Sequence, residues 1–436
     1  MNKAILLASL LIFGILSVIV TSSYSSISTQ FYRSDVEAKS IGSVDNNDSA
    51  NDIDYDNSNS IKNSQCISYD SSEKSLVISC GSVHLTDIAN RINEENVIKK
   101  ESDGNWLLNA GVIIESGATL ILDPQDTKWL KILADGNVAH GIHVYGSMII
   151  DSIKLTSWNP STNDYAQSSG SRETSGKITH EGDPRPFIRI ESGATGTTNI
   201  TNSEVAYLGY EGGWGSGTSG IHYHKGGDGS ILRNNNIHNL YFGFYSNGVS
   251  DMLIENNLFY NNGHYGIDPH TGTHDMTIRN NTVSGNNGTA IICSLDCYNI
   301  LIENNKVYDN AGSGIAFSKN MTNSVARNNY VYNAERCIFV SQSHNNEVYN
   351  NTVNNCGNGI YLKSESSHNS IFNNMIQNVN GSALKLNDGV DDNLVYSNTI
   401  VMPSSAEEEA IDNEDQDSNT FEDNTILING TVNLDS

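Results

Sequence analysis

The chain has 436 residues and a formal net charge of −26, with 24 Lys and Arg against 50 Asp and Glu. That balance argues against a nucleic-acid partner, and an anionic ligand would need a local basic groove working against the global field. The length suggests two or three ordinary domains, a rule that fails where a repeat runs through the chain.

Met1-Asn2-Lys3 precedes an unbroken apolar run from Ala4 to Val20, followed by Thr21-Ser22-Ser23. At 17 residues the run is long for the apolar part of a secretion signal and barely long enough to span a bilayer. Residues 1–23 are therefore expected to be a signal segment, cleaved or retained as an anchor. The rest is expected to be exported, to the periplasm, the cell surface or the medium. Residues 24–64 read as an acidic disordered spacer, since 34–64 has almost no large apolar side chain with which to offset chain entropy. Association with an envelope through this spacer is left open. At the other end, 403–436 carries ten acidic residues and no Lys or Arg.

Six cysteines in an exported chain suggest disulfides. Cys66 and Cys80 flank a hairpin-like segment, and Cys337 and Cys356 fall near matching places on successive repeats. Cys293 sits at an inward-facing repeat position and reads as a buried thiol, which leaves its pairing with Cys297 undecided. No CxxC pattern occurs, so metal or haem attachment through cysteine is not expected.

Residues 65–125 hold short alternating strands and a short helix predicted at Thr86 to Glu95, read as the cap that closes one end of a solenoid. IHVYGSMIIDSIKLTSW, a polar insertion around 159–182 and RPFIRIESG follow. Such insertions belong on one face of a repeat protein and often form the rim of a groove. From about residue 200 a repeat of 22 to 26 residues becomes legible. Asn recurs at 235, 257, 281, 305, 329, 351, 374, 398 and 424, each followed two residues later by an apolar side chain. A second apolar column comprises Ile221, Phe244, Ile267, Ile291, Ile315, Ile338, Ile360 and Leu384. The pattern predicts an all-β fold, a right-handed parallel β-helix over 65–436, expected as a monomer. Its coils stack about 4.8 Å apart, with the Asn column forming an amide ladder at a turn.

Alternation sorts the second strand of each coil. Counting from the inward ladder residue, the column one residue on reads His222, Tyr245, Asp268, Ile292, Ala316, Phe339, Tyr361. The column three residues on reads His224, Asn247, His270, Ser294, Ser318, Ser341, Lys363. Ionisable side chains concentrate on the coils beginning at Ile221, Phe244 and Ile267, a patch roughly 10 Å high. It contains Tyr265, Asp268 and His270, with His274 beyond the strand, Tyr241 and Tyr245 one coil earlier, and His222, His224 and Lys225 before that. The set suits abstraction of a proton from a carbon beside a carboxylate: a base near neutral pKa, a group to stabilise the enolate, and a phenol on the other face.

Tyr265-Gly-Ile-Asp-Pro-His270, with the preceding NLYFGFYSNGVSDMLIENNLFYNNGH, closely resembles the mannuronan C5-epimerases of the alginate pathway, in particular their single-domain periplasmic type. SEVAYLGY, RPFIR and LTSW are further similar segments, and the resemblance covers about 145–400. It implies conversion of β-D-mannuronate to α-L-guluronate within a polymer, without a cofactor. It further implies His270 as base, Tyr265 as acid on the other face and Asp268 as the residue orienting the site. The periplasmic type has an arginine one coil later that neutralises the substrate carboxylate; Leu295 stands there in this chain. Lys319 matches another basic position of the family, and His274, Lys225 and Arg189 are further candidates for the missing charge. The calcium-binding nonapeptide repeats of secreted epimerases are absent from the sequence.

Each of these residues also has a plainer reading. His222 and His264 read as solvated surface residues, Tyr265 as a packing aromatic, Asp268 as a residue fixing the turn before Pro269. Lys319 and Lys363, two coils apart on one face, suit a polyanion track but equally an ordinary solvated surface. His224 and Tyr245 complete the expected substrate-binding set. Trp158 is either a sugar-stacking ring or a loop anchor. Alternate residues on a strand make a poor tetrahedral set, so His222/His224 and His270/His274 are not expected to bind a metal. The rival functions are a polyuronate lyase, which shares the first proton abstraction, a non-catalytic carbohydrate-binding β-helix, and a metal-delivery β-helix.

Overall fold

The computed structural model of the protein describes residues 66–134, 138–167, 183–212, 217–387, 389–403, 410–414, 418–428 and the backbone of 431–432. The signal segment 1–23, the spacer 24–64 and residues 168–182 of the polar insertion lie outside the described residues, as does part of the acidic stretch 403–436.

Short strands of the chain stack into three sheets that hold 14, 13 and 15 strands among the described residues. Each coil contributes one strand to each sheet in turn. Neighbouring strands are parallel except where Ile67–Asp70 meets Ser75–Ile78, Ile98–Ser102 meets Asn105–Leu108, and Thr425–Ile428 meets Thr431–Val432. This is the expected parallel β-helix, and its interior contains the two predicted columns together with a third from the second sheet, running from Leu232 and Ile254 to Ile371 and Val395. Ile221, Phe244, Ile267, Ile291, Ile315, Ile338, Ile360 and Leu384 stack in the first sheet. Ile237, Phe259, Val283, Val307, Val331, Val353, Ile376 and Ile400 stack in the third, all without solvent exposure. β-branched side chains suit such a stack, because their stiff χ1 rotamers pack against identical neighbours one coil away.

The Asn column forms the predicted ladder. Asn257 Nδ2 donates to Asn281 Oδ1 at 3.0 Å and to the Leu232 carbonyl at 2.9 Å, while the Asn257 backbone N–H donates to the same Oδ1. The pattern repeats from Asn235 to Asn424. The residue before most rungs is also Asn, as at 234, 256, 280, 304, 328, 350 and 373, and it takes a left-handed conformation. Asn tolerates that region better than most L-residues. The Asn-Asn pair therefore divides the work: the first residue makes the corner and the second satisfies the buried amides. Two ladders escaped the sequence reading, Asn262–Asn286–Asn310 and Asn346–Asn369–Asn393–Asn419.

The predicted short helix lies at Leu85–Ile92, buries Leu85 and Ile88, and ends at Asn93 with φ 54°. Cys66–Cys80 and Cys337–Cys356 are disulfides, with Cα separations of 5.0 and 5.8 Å. Cys293 and Cys297 are unpaired and buried. No helix among the described residues is long and apolar enough to cross a membrane.

Candidate active site

The first sheet positions the patch. Its strands Phe187–Ile190, Gly220–His224, Phe242–Asn247, Ile267–His270 and Ile291–Ser294 follow one another across consecutive coils. Their register aligns Arg189, His222, Tyr245 and Asp268 in one column and His224, Asn247, His270 and Ser294 in the next. The predicted columns are thus reproduced in register, although His222, Asp268 and Ser294 are buried within them. Two local features shape the central strand. A Cβ on Gly266 would lie 2.6 Å from the Ala290 carbonyl, so only glycine lets Tyr265 precede a strand stacked this closely. Pro269 has no N–H to give to the next coil, and pairing with Ile291–Ser294 is registered only at Ile267 and His270. One coil earlier, the register shifts between Gly220 and His222 against Phe242 and Tyr245. This irregularity turns Phe242 into the patch.

His270 is half-buried and outward. Its Nδ1 lies 2.6 Å from Thr271 Oγ1, and its ring centroid is 5.4 Å from that of Tyr245. Burial and, behind it, the Lys319 charge hold its pKa below the usual imidazole range. Asp268 is 2% exposed, and its Oδ1 has no hydrogen-bond partner in the structure. Burial drives its pKa well above the carboxylate range, opposed only by Lys319. Tyr245 is pushed up to about 12 by burial and then by the Asp268 charge, and Tyr265 is raised by the same two causes. Burial thus disfavours the charged form of all four groups, favouring a neutral imidazole and protonated phenols and pushing the Asp268 carboxyl towards its protonated form.

The ring contacts of Tyr265 run to His264 at 4.0 Å and Phe242 at 5.5 Å rather than to the His270 ring, and Phe242 in turn meets Tyr245 at 5.6 Å. The phenol in ring contact with His270 is Tyr245. Phe242 and His264 were missed as site residues, because the shifted register takes Phe242 out of strict alternation and His264 precedes the strand. The surface reading of His222 is overturned. It is 5% exposed, with both ring nitrogens buried and no hydrogen-bond partner in the structure, and burial followed by the Arg189 charge drives it to about 3. His264 is half-buried and stacks on Phe242 at 5.0 Å, so it too is packed rather than solvated.

The other candidates divide by position. His224 lies beside His222, with centroids 6.0 Å apart, and Arg189 pairs with Glu191 at 3.1 Å. Lys225, Thr271, Leu295 and Lys319 occupy a left-handed corner that follows the strand on successive coils, with Gly248 in the same file. Leu295 is thus stacked between Thr271 and Lys319, and Lys319 is the cation whose charge acts on both Asp268 and His270. Lys363 is exposed in the His270 column, in register with Ser341. His274 stands around the corner, bonded to Asp275 at 2.7 Å and stacked on Tyr298 at 4.6 Å, outside the aromatic cluster. Trp158 packs against Trp129 and Tyr165, which makes it an anchor of the insertion. Among the described residues no group of three or more His, Cys, Asp or Glu side chains is placed to hold a metal ion.

A mannuronan C5-epimerase of Pseudomonas aeruginosa is 26% identical over 207 residues, 45% of this chain and 35% of that protein. The chain thus spans about a third of the length of this curated relative. The crystal structure of the periplasmic alginate epimerase AlgG superposes with a TM-score of 0.67 at 20% identity, covering 81% of this chain and 85% of that one. The A-module of the Azotobacter vinelandii mannuronan C-5 epimerase AlgE6 aligns more loosely, at 18% identity and a TM-score of 0.49, over 76% and 88% of the two chains. The model of the right-handed β-helix region matches residues 132–294, 187–336 and 270–426, together more than half of the sequence. With three stacked parallel sheets and ladders in step, the chain belongs to the right-handed β-helix family.

Proposed function

We propose that the protein is an exported polysaccharide C5-epimerase that inverts β-D-mannuronate to α-L-guluronate, or an analogous uronate pair, within a polymer. His270 removes the C5 proton. Lys319 stabilises the charge that moves into the carboxylate, Asp268 orients the site, and a phenol returns a proton from the opposite face. Tyr265 holds the acid role implied by resemblance to the epimerases, with Tyr245 the phenol nearest the base. The observation that carries this reading is that one strand pair places the outward His270 imidazole in ring contact with Tyr245 and beside the buried Asp268 carboxyl, with Tyr265 just before the same strand. Arg189, His224, Lys225, Tyr245, Lys319 and Lys363 then hold the anionic polysaccharide, and His274 lies at the margin of that track. Two disulfides fit an exported protein. The working picture is a monomer with no nucleic-acid partner.

A second reading, non-catalytic binding of the same polymer, is favoured by Leu295, which leaves the coil next to His270 without a cation. Incubation of polymannuronate and other polyuronates with the protein in deuterated water separates the outcomes. Epimerisation puts deuterium at C5 of uncleaved chains, and His270→Ala abolishes it. Lyase activity gives unsaturated ends, and binding without exchange by the unaltered protein would sink the enzyme assignment.

A further inference from the structure

The corner after the site strand has a residue out of keeping with its place. Among the described residues, the non-glycine positions with positive φ are filled mostly by Asn, Asp, Ser and Lys, and Thr271, at φ 39°, is the one β-branched residue among them. The same corner on neighbouring coils is taken by Lys225, Gly248, Leu295 and Lys319, all at positive φ and none β-branched, and Gly272 follows at φ 72°. A β-branched side chain in this region is a steric outlier, and such strain persists where the surroundings or a function require that residue. The Thr271 hydroxyl lies 2.6 Å from His270 Nδ1. A second threonine holds the same residue from behind: Thr273 Oγ1 donates to the His270 carbonyl at 2.8 Å and meets Ser246 Oγ at 3.1 Å. The base is therefore gripped at its ring and at its backbone.

We propose that Thr271 is a positioning residue whose hydroxyl accepts the Nδ1–H of His270, fixing the tautomer in which Nε2 is the bare, proton-accepting nitrogen. The two nitrogens of a neutral imidazole are distinct, and the partner of one decides which is free. For the reaction this rests on the epimerase reading. Nε2 takes the C5 proton as the C–H electron pair moves into the adjoining carboxylate, forming an enediolate. The imidazolium keeps its Nδ1–H bond to Thr271 throughout, and the pair returns to C5 when a phenol protonates the opposite face. Exchange with water resets both groups. Glycine or asparagine at 271 would relax the corner and lose this hold, which explains why the strained residue stands there.

The test compares Thr271→Val, which keeps the β-branch and loses the hydroxyl, with Thr271→Ser, which does the reverse, and Thr271→Asn. Nitrogen-15 NMR of the histidines, assigned with His270→Gln, reads the tautomer in the substrate-free protein. We expect Nδ1–H in the parent and in Thr271→Ser, and a mixture or Nε2–H in Thr271→Val. On a turned-over polyuronate, kcat of Thr271→Val should fall roughly tenfold to a hundredfold at little-changed KM, as for loss of a hydrogen bond to a group that becomes charged. Thr271→Ser should retain most of it, and Thr271→Asn should melt higher than the parent while losing turnover. An Nε2–H tautomer in the parent, or parental tautomer and kcat in Thr271→Val, would overturn the proposal. A parent inactive on every polyuronate would remove the epimerase reading alone, because the tautomer comparison still decides the role of Thr271.

Discussion

Burial and the Lys319 ammonium both disfavour a second proton on His270. If His270 is the base, the acid limb of kcat/KM should have its midpoint below the ordinary imidazole value near 6.5, with activity rising as pH rises through it. Lys319→Gln should move that midpoint upward, towards 6.5, while lowering kcat, and a pH–rate series on both proteins checks it. A limb unmoved by the substitution would mean that Lys319 does not act on the base. Asp268 titrates in the opposite sense. Its folded pKa is raised, so in the folded chain it keeps a proton that the unfolded chain releases above about 3.8. The stability tied to this group is full at low pH and is lost as pH climbs towards the folded value. Asp268→Asn, neutral at every pH, should therefore gain stability relative to the parent as pH rises above about 4. Denaturant melts at several pH values read the difference, and a constant gap would show an ionised Asp268.

At the scale of the repeat, each Asn rung satisfies groups on three coils. Asn305 donates to Asn329 Oδ1 and to the Ile278 carbonyl, and accepts from both the backbone and the side chain of Asn281. Asn305→Ala removes all four bonds and leaves buried donors and an acceptor unmet, a loss of about 2–5 kcal/mol. Equilibrium unfolding measures it; a loss under ~0.5 kcal/mol would mean that water replaces the amide. Asn305→Asp should be no better, because a carboxylate cannot donate to Asn329 or Ile278. The same element decides how side chains reach the patch. Strict alternation predicts the register of the columns correctly, yet the shifted register at Phe242 carries an additional ring between Tyr245 and Tyr265.

Across the molecule, the net charge of −26 opposes the approach of a polyanion, while Lys225, Lys319 and Lys363 attract it locally. Salt screens the distant field first, since the Debye length is about 10 Å at 0.1 M, and contacts at van der Waals range are weakened less. KM for a polyuronate should therefore fall as ionic strength rises from a few millimolar towards ~0.1 M, and rise again beyond it. A KM that climbs from the lowest salt onward would show that the lysine track outweighs the global field. The disulfide Cys337–Cys356 closes a loop of 19 residues within this same stack. Replacing both cysteines by serine should remove about 3 kcal/mol and lower the melting temperature.

The periodicities were legible because a solenoid makes every coil solve one packing problem. Inward residues must be apolar, corners must tolerate left-handed backbone, and buried amides must find partners one coil away. Those constraints are local and repeat along the chain, so the Asn rungs, the apolar columns, both disulfides and the placement of His270 and Asp268 on one face could be read from residue spacing. What spacing cannot carry is the depth and contact of side chains between coils. His222 looked solvated and is buried, the ring that meets His270 is that of Tyr245, and His274 turns to Asp275 and Tyr298. These outcomes depend on a shifted register, on which rings fill the space above a neighbour, and on the direction in which a corner sends the chain. Only the stacked coils decide them, because each involves a ring on the adjacent coil, His222 with Tyr245, Tyr245 with His270 and His274 with Tyr298.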